Sequence, residues 1–547
     1  MKALFRNLTL TLALLVLPAA SYSQLAPEWI TRVPVGSSLT AGIQGFLVDP
    51  DGTSYMTGIS GPSPNTDITT VSLAPDGTIR WSQTWNSVGS GADQARGIAM
   101  GPDNVLYVVG NTPGPGSFAN VLVLAYDAAT GLLLDTIQYS SAPGTSEFGE
   151  SIVADGAGNI YIGGGTVGDG LDVMTLKFNA AGDLQWRRTW DGPAFANFSQ
   201  DAVVKVLLNP SGDLLVLING VQSTQHPDYV IVKYAGTNGA TLWEANWGLS
   251  GFDSPTDMEI GALGDVYVTG IGLDSIEKIS TIKLNGSNGQ LLWQFYDAVG
   301  LDHGVGGLFL DDTGGVIIDG NSDPDGDQSN FNNQFYTIKR DALTGALLWT
   351  HIYGETCVGC FDIPSDVGVD SAGNVIVLGS TSSPPFNNDK ILLVLDNATG
   401  LEINRGLIFH TGSEILSSGF LRFDSAFNVY DGGSVYNADT GAVNMNDTKW
   451  TSLVAGGAGI PCADVKSFQA RCKAGVNGDR LQIRVTLTDT SHSGEQVAIA
   501  IDGEPFTLDI SDNRAQLTIP GTAGSHTIEL IDPAGCSAPV MPTCSGS

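Results

Sequence analysis

The stretch PDNVLYVVG (102–110) decides how the chain is read. Asp103-Asn104 makes a turn of residue types that tolerate positive φ. Val105 to Val109 then form a short strand of β-branched, aromatic and aliphatic side chains. Gly110 closes the run and permits a bend or a close backbone approach. The phrase recurs as GAGNIYIGG (156–164), ALGDVYVTG (262–270), DTGGVIIDG (312–320) and SAGNVIVLG (371–379). Weaker copies are DGTSYMTG (51–58), PSGDLLVLING (210–220) and SAFNVYDGG (425–433). Anchored on Gly58, Gly110, Gly163, Gly220, Gly270, Gly320, Gly379 and Gly432, the eight copies step by 52, 53, 57, 50, 50, 59 and 53 residues.

Working outward, a short apolar strand precedes each phrase, as in GIAM (97–100), SIVA (151–154) and DVGV (366–369). A strand, tight turn and strand follow it, as in VMTLKFNAAGDLQWRRTW (173–190) and YTIKRDALTGALLWTHIY (336–353). Each unit therefore holds four strands, and residues 30–450 sustain no 3.6-residue apolar period. Four-stranded units repeating near every fifty residues predict propeller blades. The fold class expected is all-β: an eight-bladed propeller followed by a small β-sandwich. Glu28-Trp29-Ile30-Thr31 resembles the last strand of a blade, and pairing it with the final unit would close the ring and remove an exposed edge. The eighth unit is degenerate after Val435, so seven blades with an altered cap is the alternative. An open stack of β repeats is a third reading.

These residues resemble bacterial propeller repeat proteins with D-x-x-G-N-x-Y/V-x-x-G units, and also the quinoprotein-like (PQQ-like) superfamily. The D-A-x-T-G-x-x-x-W blade motif of that superfamily is matched by Asp341-Ala342-Leu343-Thr344-Gly345 with Trp349. Asp127-Ala128-Ala129-Thr130-Gly131 matches in part, with Asp135 where the Trp would stand. The resemblance covers about residues 30–450 and implies an architecture; one fold hosts many activities. A working PQQ-dependent dehydrogenase would need a calcium ion, a carboxylate base and basic groups on the cofactor, and no motif places them.

Composition bounds the rest. Gly makes up 70 of 547 residues, nearly double the typical ~7%. The hydrophobic share of 42% is enough for a large core. Lys and Arg total 24 against 57 Asp and Glu, a net charge of −33. That balance opposes nucleic-acid binding and docking on anionic lipid. Residues 1–23 read as a signal peptide: Lys2 and Arg6, an apolar run from Leu8 to Leu17, then small residues before a cut after Ser23. The run is too short to span a bilayer, and the mature chain has no transmembrane segment. The expected location is secreted, periplasmic or cell-surface.

Six cysteines, Cys357, Cys360, Cys462, Cys472, Cys536 and Cys544, read as three disulfides in an exported chain. Cys357 is expected to pair with Cys360, and the other four among themselves in any of three connectivities. The domain boundaries expected are 24–451 for the propeller, 452–461 for a small-residue linker and 462–547 for an immunoglobulin-like sandwich of short alternating strands.

Two features could carry chemistry. Asp323, Asp325 and Asp327 alternate in a turn that resembles the opening of a calcium loop, but Gly326 is misplaced and no carboxylate follows at the twelfth position. A plain acidic turn is the alternative. Counting thirteen back from the anchors gives Gly45, Gly97, Glu150, Asp257, Gly307, Asp366 and Gly419 at the start of the innermost strands. Glu150, Asp257 and Asp366 are expected at one mouth of the channel, where grouped carboxylates raise one another's pKa or recruit a cation. The alternative is that they hold amides between blades. Calcium is the one cofactor these residues suggest. No His pair, H-x-x-x-H or G-x-S-x-G occurs. The leading reading is a binding or structural scaffold for an extracellular protein or polysaccharide. The runner-up is a polysaccharide lyase or hydrolase using the channel.

Overall fold

The computed structural model describes residues 24–25, 27–36, most of 42–450 and strand segments between 465 and 544. Residues 1–23 and 452–461, where a signal peptide and a linker are expected, and Cys357, Cys360, Cys462, Cys536, Asp325 and Asp327 lie outside the described residues. Eight antiparallel sheets of four blade strands succeed one another along the chain. Blades 1 to 7 occupy 42–85, 94–139, 146–190, 202–247, 254–297, 301–353 and 361–408. Blade 8 takes three strands from 414–450, and its fourth is Pro27–Gly36. That strand pairs antiparallel with Val443–Trp450, Thr31 opposite Asp447 and Val33 opposite Met445. The propeller is eight-bladed, and its first strand closes its last blade.

Each blade turns the same way between its first two strands. The first turn residue donates its amide to the carbonyl four residues on, at Asp49, Gly101, Asp155, Asn209, Gly261, Asp311, Asp370 and Asp424. Asp155, Asp370 and Asp424 add side-chain acceptance of two turn amides each. A bulge interrupts every innermost strand near its middle, as between Val203 and Lys205 or Pro255 and Asp257. The bulge re-aims the following side chain.

The middle strands of each blade are covered on both faces, so they read as aliphatic runs; Leu214 through Ile218 are all buried. Their side chains pack between blades: Leu217, Tyr229 and Ile231 of blade 4 share a cluster with Met258, Val268 and Ile282 of blade 5. Burying each such side chain stabilises by about 1.5–3 kcal/mol. The outer strand is half exposed and alternates accordingly, with Trp243 buried between Leu242 and Glu244, both exposed.

The outer-strand Trp clasps the next blade. Trp29, Trp81, Trp186, Trp243, Trp293 and Trp349 donate Nε1–H to the carbonyls of Pro75, Ala128, Gly236, Gly286, Ala342 and Asn397. Each acceptor lies in the turn before the next blade's outer strand. A glycine completes the dock: at Gly400, φ 72°, a Cβ would stand 2.6 Å from the Trp349 ring. The D-A-x-T-G motif thus has a mechanical meaning. Asp341 accepts the amide and hydroxyl of Thr344, Ala342 receives the Trp of the blade before, and Gly345 lies under that ring.

The chain divides into two compact units, one spanning Leu25–Gly456 and the other holding the strands from Val465 on. In the second, Val465–Lys473, Arg480–Leu487 and Arg514–Pro520 form one three-stranded sheet. Glu504–Asp509, Gln496–Ile501 and Ile528–Asp532 form another. Cys472 lies on the first of these strands and Cys544 on the two-residue strand Thr543–Cys544.

Candidate functional site

The innermost strands meet around a pocket of about 480 Å³ lined by blades 4 to 8. The residue four before each turn marks one register layer of the innermost strands, namely Gly45, Gly97, Ser151, Lys205, Asp257, Gly307, Asp366 and Phe420, of which Lys205, Asp257, Asp366 and Phe420 line the pocket. This differs from the glycine count in three blades. Blades 3 and 8 carry tandem glycines, Gly163-Gly164 and Gly432-Gly433, and the second of each holds the equivalent register. In blade 4 the register position is Ile218, with Gly220 two residues later. Glu150 therefore sits in the bulge one residue before Ser151, its carboxylate 3.8 Å from Arg96 Nε, and is not among the residues lining the pocket. Asp257 and Asp366 do line it together.

Lys205 is the residue hidden by the shifted anchor. Its ammonium lies 2.8 Å from Asp257 and 2.9 Å from Glu259. Burial works to lower its pKa, but the two carboxylates override this and hold it above the usual lysine value. Asp257 also accepts the Met258 amide and, across the joint, the Leu308 amide of blade 6 at 3.0 Å. Asp366 repeats the pattern, accepting the Val367 amide, the Leu421 amide of blade 8 and Arg422 at 2.9 Å. Both carboxylates thus bind amides between blades and carry a cation as well. Burial raises the pKa of Asp366 against the pull of Arg422, and raises that of Glu259 against Lys205.

Asp319 of blade 6 lies behind this layer, fully buried. Its Oδ1 accepts the Gly307 amide at 2.6 Å, while Oδ2 has no hydrogen-bond partner. Burial first, and then Asp366, push its pKa well up. Phe309, Phe420 and Phe423 supply apolar wall, and the Arg422 guanidinium lies 5.6 Å from the Phe420 ring. No His or Tyr is among the described lining residues.

Asp201 plays a different part. Like Asp93, Glu147 and Asp253 it is fully buried just before or at the start of an innermost strand. It accepts the Gly192 and Val221 amides, tying the incoming loop to the blade. Asp323 is also buried, at the end of Gly315–Asp323. Among the described residues no three or more His, Cys, Asp or Glu side chains are arranged to hold a metal ion. The pocket does not fit a calcium-held quinone: the oxygens of Asp257 and Asp366 are engaged by amides and cations. Among the described residues no helix is long and apolar enough to cross a membrane.

No protein-family model matches the chain, and no curated protein matches it in sequence. Among solved structures it is similar to a quinohemoprotein alcohol dehydrogenase from Comamonas testosteroni, at 12% identity over 78% of this chain and 76% of that one, TM-score 0.46. It is similar to a europium-containing methanol dehydrogenase, at 11% identity over 78% and 93%, TM-score 0.45. A polysaccharide lyase, an ulvan lyase, matches at 9% identity over 72% and 97%, TM-score 0.40. At these identities the likeness is one of fold.

Proposed function

We propose that this chain is an exported propeller that binds a polysaccharide or a protein at its channel pocket, without turning it over. One observation carries the reading. Lys205 and Arg422 are each paired with carboxylates, Asp257 and Glu259 for the one and Asp366 for the other, beside phenylalanines, so among the described residues the pocket offers paired polar groups and apolar wall. Saccharide hydroxyls and peptide groups are ligands such a surface can hydrogen-bond without a net charge of their own. The leader, three disulfides and an immunoglobulin-like C-terminal sandwich belong to the same reading, and mass mapping of the non-reduced protein tests the cysteine pairs.

The test is calorimetry of the full chain against a panel of neutral and acidic oligosaccharides, with Arg422→Met and Phe420→Ala alongside. Binding that weakens at least tenfold in both variants supports the reading. No binding to any member, or binding indifferent to both substitutions, overturns it for saccharides. Release of new reducing or unsaturated ends on incubation would replace it with the lyase or hydrolase reading.

A further inference from the structure

One buried acid has no counterpart in the other blades. Asp447 lies on Val443–Trp450, the strand that receives the N-terminal strand, and stands opposite Gly432. The same register in blades 1 to 7 is Thr70, Val123, Thr175, Ile231, Thr281, Thr337 and Leu392. In blades 1 and 5 that threonine hydrogen-bonds the threonine opposite it, Thr57 and Thr269. Blade 8 alone puts a carboxyl there, fully buried, at the joint where the ring closes.

Its partners come from both sides of that joint. Ser54 of blade 1 donates its hydroxyl to Oδ2, whereas Oδ1 is buried with no partner. Thr31 of the N-terminal strand stands opposite, with Arg32 next to it. The strand Val429–Asn437 brings Asp431, which repels a charge on Asp447, and Tyr430, whose phenol is raised in part by Asp447. Blade 7 brings Lys390, which attracts that charge but is held at 2.9 Å by both oxygens of Asp431. The strand Gly42–Val48 brings no titratable side chain. An ionised Asp447 would thus have the Ser54 hydroxyl and, more weakly, the Thr448 amide, with a counterion already engaged, and burial penalises a charged group so placed.

We propose that Asp447 is a proton-operated lock on ring closure: neutral, it lets blade 8 seat tightly against blade 1 and the N-terminal strand, and charged, it loosens that joint. Burial, with Asp431 next, raises its pKa to about 7 against a reference of 3.8. A carboxyl raised in the folded state is protonated on folding, so the contribution of Asp447 is fully present below pH 4, is lost as pH rises toward 7 and is level above it. The lock therefore responds near neutrality, far from where ordinary carboxylates titrate.

The experiment compares unfolding of the full chain from pH 4 to 9 in wild type, Asp447→Asn and Asp447→Thr, the residue that blades 1, 3, 5 and 6 use. Above pH 7 each variant should gain up to roughly a thousandfold in folding equilibrium over wild type, and the gain should vanish toward pH 4. Amide exchange of Pro27–Gly36, corrected for its intrinsic pH dependence, should quicken in wild type between pH 6 and 8 and stay level in the variants. The proposal is overturned if the three proteins share one pH profile, or if wild-type exchange in that strand does not respond. Should neither variant fold, the wild-type exchange profile alone decides.

Discussion

The joint between blades 4 and 5 and the joint between blades 7 and 8 add different polar devices to a shared apolar packing. At the first, Trp243 docks on Gly289 and donates to Gly286, over an apolar cluster that runs through both blades. At the second, Asn404 stands where the Trp would be, and the turn it would dock on does not exist. The chain leaves blade 8 after Trp450 and re-enters it at Pro27, so no link joins its last two strands. A buried ion pair, Lys390 with Asp431, crosses that joint in place of a clasp, beside an apolar cluster that also runs through both blades. The difference teaches that the clasp is a property of the receiving turn. Where the chain opens the ring, the clasp residue is released, and a buried ion pair supplements the apolar contact that both joints share.

This contrast can be broken in graded steps. Trp243→Ala should cost about 3–5 kcal/mol in denaturant unfolding, while Asn404→Ala should cost under about 1 kcal/mol. Equal costs would end the distinction between the joints. Lys390→Met should lose about 3–5 kcal/mol because it strands a buried carboxylate, and adding Asp431→Leu should restore most of it. A double variant as weak as the single would mean that the pair is more than mutual neutralisation.

The joint between blades 6 and 7 adds to its clasp an ion pair of blade 6 that bonds Asn397 of blade 7. Trp349 reaches Asn397, and Lys339 binds Asp311 at 2.7 Å beside the same Asn397. Burial opposes the Asp311 charge, but Lys339, the Gly315 amide, Asn397 and Thr313 pull its pKa down to about 2. Its contribution is therefore present above pH 4 and lost as pH falls through 2. Asp311→Asn should cost up to about 2 kcal/mol at neutral pH and little at pH 2, read from acid unfolding curves.

The smallest effect concerns the joint between blades 2 and 3, where the chain does supply a receiving glycine. Asp135 occupies the Trp position, and a Cβ on Gly182 would lie 3.4 Å from its carboxylate. Asp135→Trp should stabilise by about 1 kcal/mol if the turn alone makes the dock. A destabilised variant would show that this joint has adapted to the acid.

Much of this architecture was legible because a repeat repeats its physics. The phrase ending in glycine found eight blades, and the likeness of Glu28-Trp29 to other outer strands found the closure. The channel layer was harder to read. Glycine was a poor ruler because it serves two positions, the bend in the second strand and the neighbouring close approach, and tandem glycines blur them. The hydrogen-bonded turn keeps its five-residue frame in every blade, and counting from Asn209 through Asp213 would have placed Lys205 beside Asp257. Glu259, Arg422 and Asp319 could not be found that way, since their roles come from neighbours in other blades.

Because Pro27–Gly36 completes a sheet begun by Glu414–Phe423, the ring cannot shut until the last blade exists. Roughly 420 residues separate Pro27 from Trp450, which is on the order of 20–80 s of synthesis. Through that interval seven blades can form from local hairpins, while the strand made first waits unpaired with its edge open. The interval in which this edge stands open is therefore set by where the circle was cut, and a permuted chain opened between two clasped blades would move that interval elsewhere.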